Sequence, residues 1–211
     1  MKMDITAGMQ DMFQAEGAYL ISEEDIKRRK QERHYTMLSE LQDMARQLPM
    51  NFQQLLPYTT LSNLALSLLD GTVFEIVQHL SEIQQMMERK LMEQRARLHN
   101  SHKSQKYQMQ KRHQAAMQDC QSKPHNIPRT KIANEKEKEA LDKKMSEEQK
   151  RMDERILIEL DTCAAEQQTT LEKAGVPGFQ RTHDSKESRL QMYILEFITK
   201  LHRMETAESV S

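Results

Sequence analysis

The sequence predicts an all-α protein: an elongated antiparallel coiled-coil hairpin on a small helical-bundle base. Three observations predict this class. The 211 residues include only 5 Gly and 5 Pro, too few for a turn-rich β structure. Apolar residues recur at helical spacing along two long stretches that contain neither proline nor glycine. A short segment with two prolines, at 123–129, separates these stretches.

The composition narrows the functional classes. Charged residues make up 30% of the chain, apolar residues 37%, and the mean hydropathy is −0.83, so a compact α/β enzyme with a large core is not expected. The net charge of −1 offers no global attraction for nucleic acid or an anionic membrane. No stretch approaches the roughly 18 apolar residues of a membrane span, and no secretory signal is visible. We therefore expect an intracellular protein without membrane contact.

The N-terminal part predicts a tail followed by base helices. Residues 1–21 show no sustained periodicity and predict a disordered tail. Ser22 precedes three acidic residues, which is typical of a helix N-cap. The segment 22–70 predicts the N-terminal helices of the base, and Pro49 ends the first of them. The apolar stripe of that helix consists of Leu38, Leu41, Ala45 and Leu48.

The first long arm is predicted over 71–122. Gly71 suits the left-handed conformation that ends the preceding helix. Thr72 and Glu75 predict a capping box, in which the threonine hydroxyl and the glutamate carboxylate each accept a bond from the other residue's amide. The core positions follow heptad spacing with one four-residue insertion. These positions are Ile76, Leu80, Ile83, Met87, Leu91, Gln94 and Leu98.

The second long arm is predicted over 130–174, after the proline turn at 123–129. The short connection favours folding back as an antiparallel pair. The charge bias agrees, because 88–113 is mainly basic and 135–161 mainly acidic. The tip near 99–150 has few apolar core positions and is predicted to be the least stable part. The core positions of the second arm are Leu141, Met145, Gln149, Met152, Ile156, Leu160, Cys163, Gln167, Leu171 and Ala174.

The C-terminal part predicts one more helix. Gly175 is expected to cap the second arm, a loop follows at 175–184, and a helix is predicted at 185–204 before a polar tail at 205–211. The apolar stripe of this helix needs a surface to cover it. We interpret it as a partner-binding candidate that comprises Leu190, Ile194, Phe197 and Leu201.

The catalytic, metal-binding and cofactor-binding motifs of known sites are not found, so the sequence predicts no enzyme, no metal and no cofactor. No catalytic or nucleotide-binding motif occurs. His99 and His102 could share one helix face, but a zinc site needs three or four converging ligands. Cys120 and Cys163 fall on core positions far apart in the hairpin, so a disulfide between them is not expected. We therefore expect no catalytic residues and two structural thiols in a reducing compartment.

A basic run offers one targeting candidate. Lys27, Arg28, Arg29 and Lys30 could form a nuclear import signal or a phosphate-binding patch. The alternative is a solvated helix turn whose charge is balanced by neighbouring acidic residues. A nuclear location is favoured somewhat over a cytoplasmic one.

Several blocks resemble one known family. They read QERHYTMLSELQ (31–42), NFQQLLPYTTLSNLALSLLDGTVFEIVQHLSEIQ (51–84), PHNIP (124–128), MDERILIELD (152–161) and QQTTLEKAGVPGF (167–179). This pattern is similar to that of the gonadal family, over roughly residues 31–203. The resemblance implies an intracellular, nuclear, helical protein linked to development, and it implies no catalytic residues.

The sequence therefore predicts a non-catalytic coiled-coil adaptor or scaffold that binds unidentified protein partners. Two alternatives stay open. One is a homo-oligomeric structural coiled coil, because an unsatisfied apolar seam recruits another chain. The other is a nuclear protein that binds nucleic acid through the basic stripe at 88–113. That alternative is weaker because Tyr107 is the stripe's single aromatic residue and base stacking needs several.

Overall fold

The computed structural model describes residues 22–208, which form six α-helices and no strand. The all-α class is therefore confirmed for the described part of the chain. The predicted tail at 1–21 and residues 209–211 lie outside it. The helices are α1 (Glu23–Arg46), α2 (Met50–Gln53), α3 (Tyr58–Ser67), α4 (Thr72–Asp119), α5 (Ile127–Lys173) and α6 (Ser185–Glu208).

Two helix boundaries differ from the prediction. The turn between α4 and α5 consists of two short 3-10 turns within 120–126, and α5 begins at Ile127. Pro128 therefore lies in the first turn of α5, where the missing amide proton costs no intrahelical bond. At the other end, α6 continues to Glu208, so the predicted tail from 205 onward is wrong as far as residue 208.

The start of α4 uses a different cap from the predicted one. The amide of Thr72 donates to Asp70 Oδ1 at 3.0 Å, so the Asp70 carboxylate takes the place expected for Glu75. Gly71, with φ +84°, forms the left-handed turn between α3 and α4. Because Thr72 is already the first helical residue, the predicted capping box is replaced by this aspartate cap.

The described residues divide into two compact units. Unit 1 contains 22–74, 176–178 and 190–208, and unit 2 contains 75–175 and 179–189. In unit 1, α1 packs on α3. The largest fully buried side chains of unit 1 are Leu41, Leu64, Leu68, Ile194 and Ile198. Each such aliphatic side chain contributes roughly 1.5–3 kcal/mol on burial, so this cluster is the main core of unit 1.

A forked ion pair ties the end of α6 to α1 within unit 1. Arg33 Nε and Nη2 donate to the two carboxylate oxygens of Glu205 at 2.7 and 2.9 Å, and Arg33 Nη1 donates to the Leu69 carbonyl at 2.7 Å. The hydrogen bonds that Arg33 donates to Glu205 raise the pKa of Arg33. This ion pair favours the extension of α6 past residue 204, because the helix places Glu205 within reach of Arg33.

Unit 2 is dominated by α4 and α5, whose cross-helix contacts follow one register. In seven such contacts the two residue numbers add to between 248 and 251, which is the pattern of an antiparallel pair. These contacts are Gln84–Gln167, Arg95–Asp153, His102–Glu148, Lys106–Asp142, Arg112–Glu137, His113–Glu137 and Cys120–Thr130.

The inward positions of both helices recur every eleven residues. In α4 and the turn after it they include Met87, Leu98, Met109 and Cys120, and in α5 they include Thr130, Leu141, Met152 and Cys163, all buried or half-buried. The four-residue insertion expected once along α4 thus occurs in every repeat, because seven plus four residues make one eleven-residue repeat. Cys120 Sγ lies 3.1 Å from Thr130 Oγ1, which places the two series in one register.

No single helix of residues 22–208 is long and apolar enough to cross a membrane.

Candidate functional site

In unit 2, hydrogen-bonded polar side chains occupy much of the interface between α4 and α5. This interface, formed by the inward positions of both helices, is called the seam. His102 is 8% exposed, and its Nε2 lies 2.8 Å from Glu148 Oε2, which accepts the hydrogen bond. His113 Nε2 lies 2.8 Å from Glu137 Oε2, and Arg112 donates to the other oxygen of the same carboxylate. The seam therefore combines apolar layers with hydrogen-bonded polar pairs that select one register.

Further ion pairs border the seam on one side. Arg95 Nε donates to Asp153 Oδ1 at 2.8 Å, and Lys106 Nζ donates to Asp142 Oδ1 at 2.8 Å. These bonds lower the pKa of Asp153 and of Asp142 below the ordinary aspartate value. The hydrogen bond from His102 likewise lowers the pKa of Glu148, and those from His113 and Arg112 lower the pKa of Glu137. All four carboxylates therefore favour their charged form in the folded protein.

One seam residue has a buried side-chain oxygen without a hydrogen bond. Gln94 Oε1 is buried and has no partner among the described residues. Gln94 lies between Leu91 and Leu98, two inward positions of α4. A buried unpaired carbonyl oxygen costs free energy, so this position stabilises the pair less than an apolar residue would.

A cleft runs along the side of the α4–α5 pair that carries the Arg95–Asp153 and Lys106–Asp142 pairs. Two adjoining cavities, of about 340 and 740 Å³, share His99, His102 and Gln149 and form this cleft. It follows α4 from Met92 to Gln110, a length of about 27 Å at 1.5 Å per residue. The remaining lining residues are Arg95, Ala96, Leu98, Lys103, Lys106, Tyr107, Asp142, Met145, Ser146 and Met152.

Large apolar side chains are exposed along this cleft. Met92 and Tyr107, which line it, are each 66% exposed. Leu157 is 61% exposed and lies one helical turn beyond Asp153, so it continues the same side of α5. A cleft floored by leucine and methionine and bordered by exposed apolar residues is suited to binding another helix.

The partner-binding stripe predicted in the C-terminal helix does not fit the structure. Ile194, Phe197 and Leu201 are 0, 4 and 3% exposed, and they pack in the core of unit 1. Leu190 is half-buried. The amphipathic pattern of α6 is satisfied inside its own unit, so its apolar face is not available as a docking surface.

Two further predicted sites are the C-terminal glycine of α5 and the basic run of α1. Gly175 follows the last turn of α5 with φ +73°, the left-handed conformation of a C-terminal glycine. The basic run from Lys27 to Lys30 is exposed on α1, where Arg28 Nη2 donates to Asp25 Oδ1 at 3.0 Å. The run is thus solvent-accessible and partly neutralised.

No group of three or more potential metal ligands converges among the residues of 22–208. His102 bonds a carboxylate instead of pairing with His99. Cys120 and Cys163 are free thiols, and burial raises the pKa of the Cys163 thiol, which disfavours its reactive thiolate form. The α4–α5 cleft, which sequence reasoning did not identify, is the better candidate for a binding site. Its signal in the sequence is the eleven-residue spacing combined with Met92, Tyr107 and Leu157 outside the seam.

Comparison with known proteins gives concordant matches. The family model described as DiGeorge syndrome critical region 6 (DGCR6) protein matches residues 15–209. Protein DGCR6 of Gallus gallus is 52% identical over 178 residues, which cover 84% of this chain and 88% of that relative. Gonadal protein gdl of Drosophila melanogaster is 31% identical over 175 residues, which cover 83% of this chain and 82% of that relative. No solved structure matches the chain.

Proposed function

Because the chain belongs to the DiGeorge syndrome critical region 6 protein family, as its resemblance to the gonadal family predicted, we propose a shared role for it as a non-catalytic adaptor or scaffold. In this role its α4–α5 pair is a coiled-coil hairpin that binds protein partners. The names of the relatives refer to gonads and to a chromosomal region associated with a syndrome, which supports a developmental setting. These names describe no reaction, so the mechanism is argued from the α4–α5 cleft.

The observation that carries the proposal is the exposed apolar border of the cleft. Met92 and Tyr107, which line the cleft, and Leu157, one helical turn beyond Asp153, are all more than half exposed. The floor of the cleft contains buried Met145. Scattered single apolar residues on a surface are ordinary, whereas a row beside a cleft marks an interaction surface. A partner helix placed there would cover this row and the seam edge together.

The nucleic-acid alternative loses support from the ion pairs. Arg95, Lys106 and Arg112 each bind an acidic residue of α5, and Arg97 lies 3.6 Å from Glu93 on its own helix. Half of the eight basic residues between 88 and 113 are therefore already neutralised by carboxylates. A phosphate backbone would have to compete with these carboxylates for the same guanidinium and ammonium groups.

Proximity labelling in cells that express the protein tests the adaptor function. Met92→Glu places a charge beside the cleft, and the matched control Met86→Glu alters an equally exposed methionine of α4 that does not line the cleft. We expect Met92→Glu to remove a reproducible set of labelled proteins that Met86→Glu retains. Identical labelled sets for both variants and the unmodified chain would contradict the proposal.

A nuclear location is part of the proposal and has its own test. The exposed run Lys27–Lys30 would supply the import signal. Replacing these four residues by alanine in a fluorescent fusion should move the fusion toward the cytoplasm, whereas Arg46→Ala on the same helix should not. An unchanged distribution would assign the run to the alternative of a solvated helix turn.

A further inference from the structure

The α4–α5 pair buries few side chains for its length. Between residues 75 and 173 only Val77, Leu91, His102, Met109, Met145 and Leu171 are buried, and one of these six is polar. Ordering the backbone of about a hundred residues has a large entropy cost that burial of apolar surface has to offset. Two helices with so few buried side chains are therefore expected to gain further burial from another surface.

The cleft side of the α4–α5 pair is the surface where another protein could bury more apolar side chains. Two of its lining residues, Met92 and Tyr107, are exposed apolar side chains, and the exposed Leu157 lies one helical turn beyond Asp153. The charges of the cleft are also divided between the helices. Those contributed by α4 are basic or histidine (Arg95, Lys103, Lys106, His99 and His102), and the one charged lining residue contributed by α5 is Asp142. Asp153, which binds Arg95, adds a second acid to the α5 border.

We propose that a second copy of this chain covers the cleft, with the two α4–α5 pairs packed side to side as a four-helix bundle. The proposal rests on the proposed function, because it names one partner of the same surface. The two-fold axis runs parallel to the helices, so α4 of one copy lies against α5 of the other and both bends point to the same end. Such an interface is isologous, since each copy contributes the same two helices.

Charge complementarity selects this orientation. An axis perpendicular to the helices would place α4 against α4 and bring the basic borders of the two copies together, which costs free energy. The parallel axis instead brings each basic α4 border against an acidic α5 border, the same complementarity that pairs the helices within one chain. The intrachain contacts keep one register along the pair. Each basic residue of α4 in these contacts therefore lies at the same height along the helix axis as an acidic residue of α5 in the second copy.

The eleven-residue repeat keeps the cleft on one side of the α4–α5 pair. Eleven residues over three turns give 3.67 residues per turn, so the inward stripe does not wrap with the left-handed twist of a two-stranded heptad coil. Positions Met87, Leu98 and Met109 therefore stay on one nearly straight face of α4. The side of the pair next to this face therefore also stays straight, so a second pair can lie against it along the length of the cleft.

The size of the cleft predicts a reversible dimer. A face about 27 Å long and about 20 Å wide, two helix diameters, corresponds to roughly 1,000 Å² when both copies are counted. This area lies near the lower limit for a specific interface. The monomer and dimer should therefore exchange within the concentration range that analytical ultracentrifugation covers.

Sedimentation equilibrium of the full chain over a broad concentration range tests the dimer. The unmodified chain should approach twice its 24.8 kDa mass as the concentration rises. Met92→Glu should raise the dissociation constant at least about tenfold, because it places a charge among the apolar side chains that the interface would bury. Met86→Glu should leave it unchanged, and circular dichroism should show equal helix content in all three proteins.

A spin label at the end of α4, attached through Asp119→Cys in a chain with Cys120→Ser and Cys163→Ser, tests the orientation. With both bends at one end, the distance between the two copies should stay below about 30 Å, whereas bends at opposite ends would give about 54 Å or more. A monomer at every concentration, a dimer that Met92→Glu leaves intact, or the longer distance would each overturn the proposal. A monomer that still loses labelled partners on Met92→Glu would overturn the dimer alone and leave the adaptor function standing.

Discussion

At the residue scale, Gly178 is the position where the backbone and the core of unit 1 constrain each other most closely. Its φ is +85°, and a Cβ built there would lie 2.6 Å from Cδ1 of Ile194, a fully buried side chain. Gly71 has almost the same φ, +84°, but no atom lies within 4 Å of its Cβ position. The two glycines therefore separate the effect of backbone strain from that of steric overlap.

We predict that Gly178→Ala destabilises the protein more than Gly71→Ala. Both substitutions incur the left-handed strain of about 1–2 kcal/mol, and Gly178→Ala adds about 1–3 kcal/mol because Ile194 has to move within a packed core. Urea unfolding followed by circular dichroism measures the difference. Equal loss of stability in the two variants would show that Ile194 relaxes without cost.

The buried oxygen of Gln94 gives a second prediction at this scale. Gln94→Met keeps an unbranched side chain of similar length and removes the unpaired polar atom, so the free energy of unfolding should rise by about 1 kcal/mol. The control is Gln114→Met, an exposed glutamine of the same helix, which should change stability little. A Gln94→Met protein less stable than the unmodified chain would assign Gln94 Oε1 a stabilising contact.

At the element scale, the charge pairs between α4 and α5 predict an acid-dependent stability. The folded-state pKa values of Glu137, Asp142, Glu148 and Asp153 are all lowered by their partners. Their contribution is complete above the ordinary carboxyl pKa of about 4 and is lost as the pH falls through the lowered values. The thermal midpoint should therefore stay nearly level from pH 7 to about 4.5 and fall below that.

The matched control for this prediction removes two of the titrating groups. A protein with Asp142→Asn and Asp153→Asn loses the pairs with Lys106 and Arg95, whose charges do not change in this pH range. Its midpoint should be lower at pH 7 and should fall less on acidification, as measured by circular dichroism melts at each pH. A full-sized acid drop in this variant would exclude these aspartates as its cause.

The helices also show which features could be predicted from the sequence and which could not. The helices were predictable because apolar spacing, Ser22 and Gly175 act locally, and Ser22 Oγ accepts the Asp25 amide at 3.1 Å. The assignment of Pro128 to the turn was wrong, because a proline can either follow the end of a helix or occupy the first turn of the next one. Leu201 was misread as a docking residue because an amphipathic stripe looks the same whether its own unit or another protein covers it.

The cleft itself was not predictable from the spacing alone. The heptad interpretation placed most core positions of α4 correctly up to Leu98, but Ile83 is 53% exposed and is not a core residue. It also did not identify the insertion as a repeating feature. The side of the pair that carries Met92 and Leu157 became visible only from the Arg95–Asp153 contact, which joins residues 58 positions apart. Contacts at such sequence separations depend on the register of two helices, and a one-turn shift would change every pair.

At the scale of the whole molecule, the two units have different sources of stability. Unit 1 has an apolar core that includes Leu41, Leu64 and Ile198, whereas the seam of unit 2 alternates apolar layers with polar pairs. A protein in which one unit gains burial from a partner couples binding to stability by mass action. This coupling is the physical basis of the adaptor function proposed for the chain.

The proposed binding surface depends most on the antiparallel pairing of α4 and α5, and electron–electron double resonance measures that pairing directly. Spin labels would replace the exposed residues Lys103 and Glu147 in a chain with Cys120→Ser and Cys163→Ser, diluted with unlabelled protein to suppress distances between copies. We predict a distance below about 25 Å, and a similarly short distance for labels at Arg89 and Asp161. A continuous helix through the turn would instead separate positions 103 and 147 by about 66 Å, and that result would contradict the account.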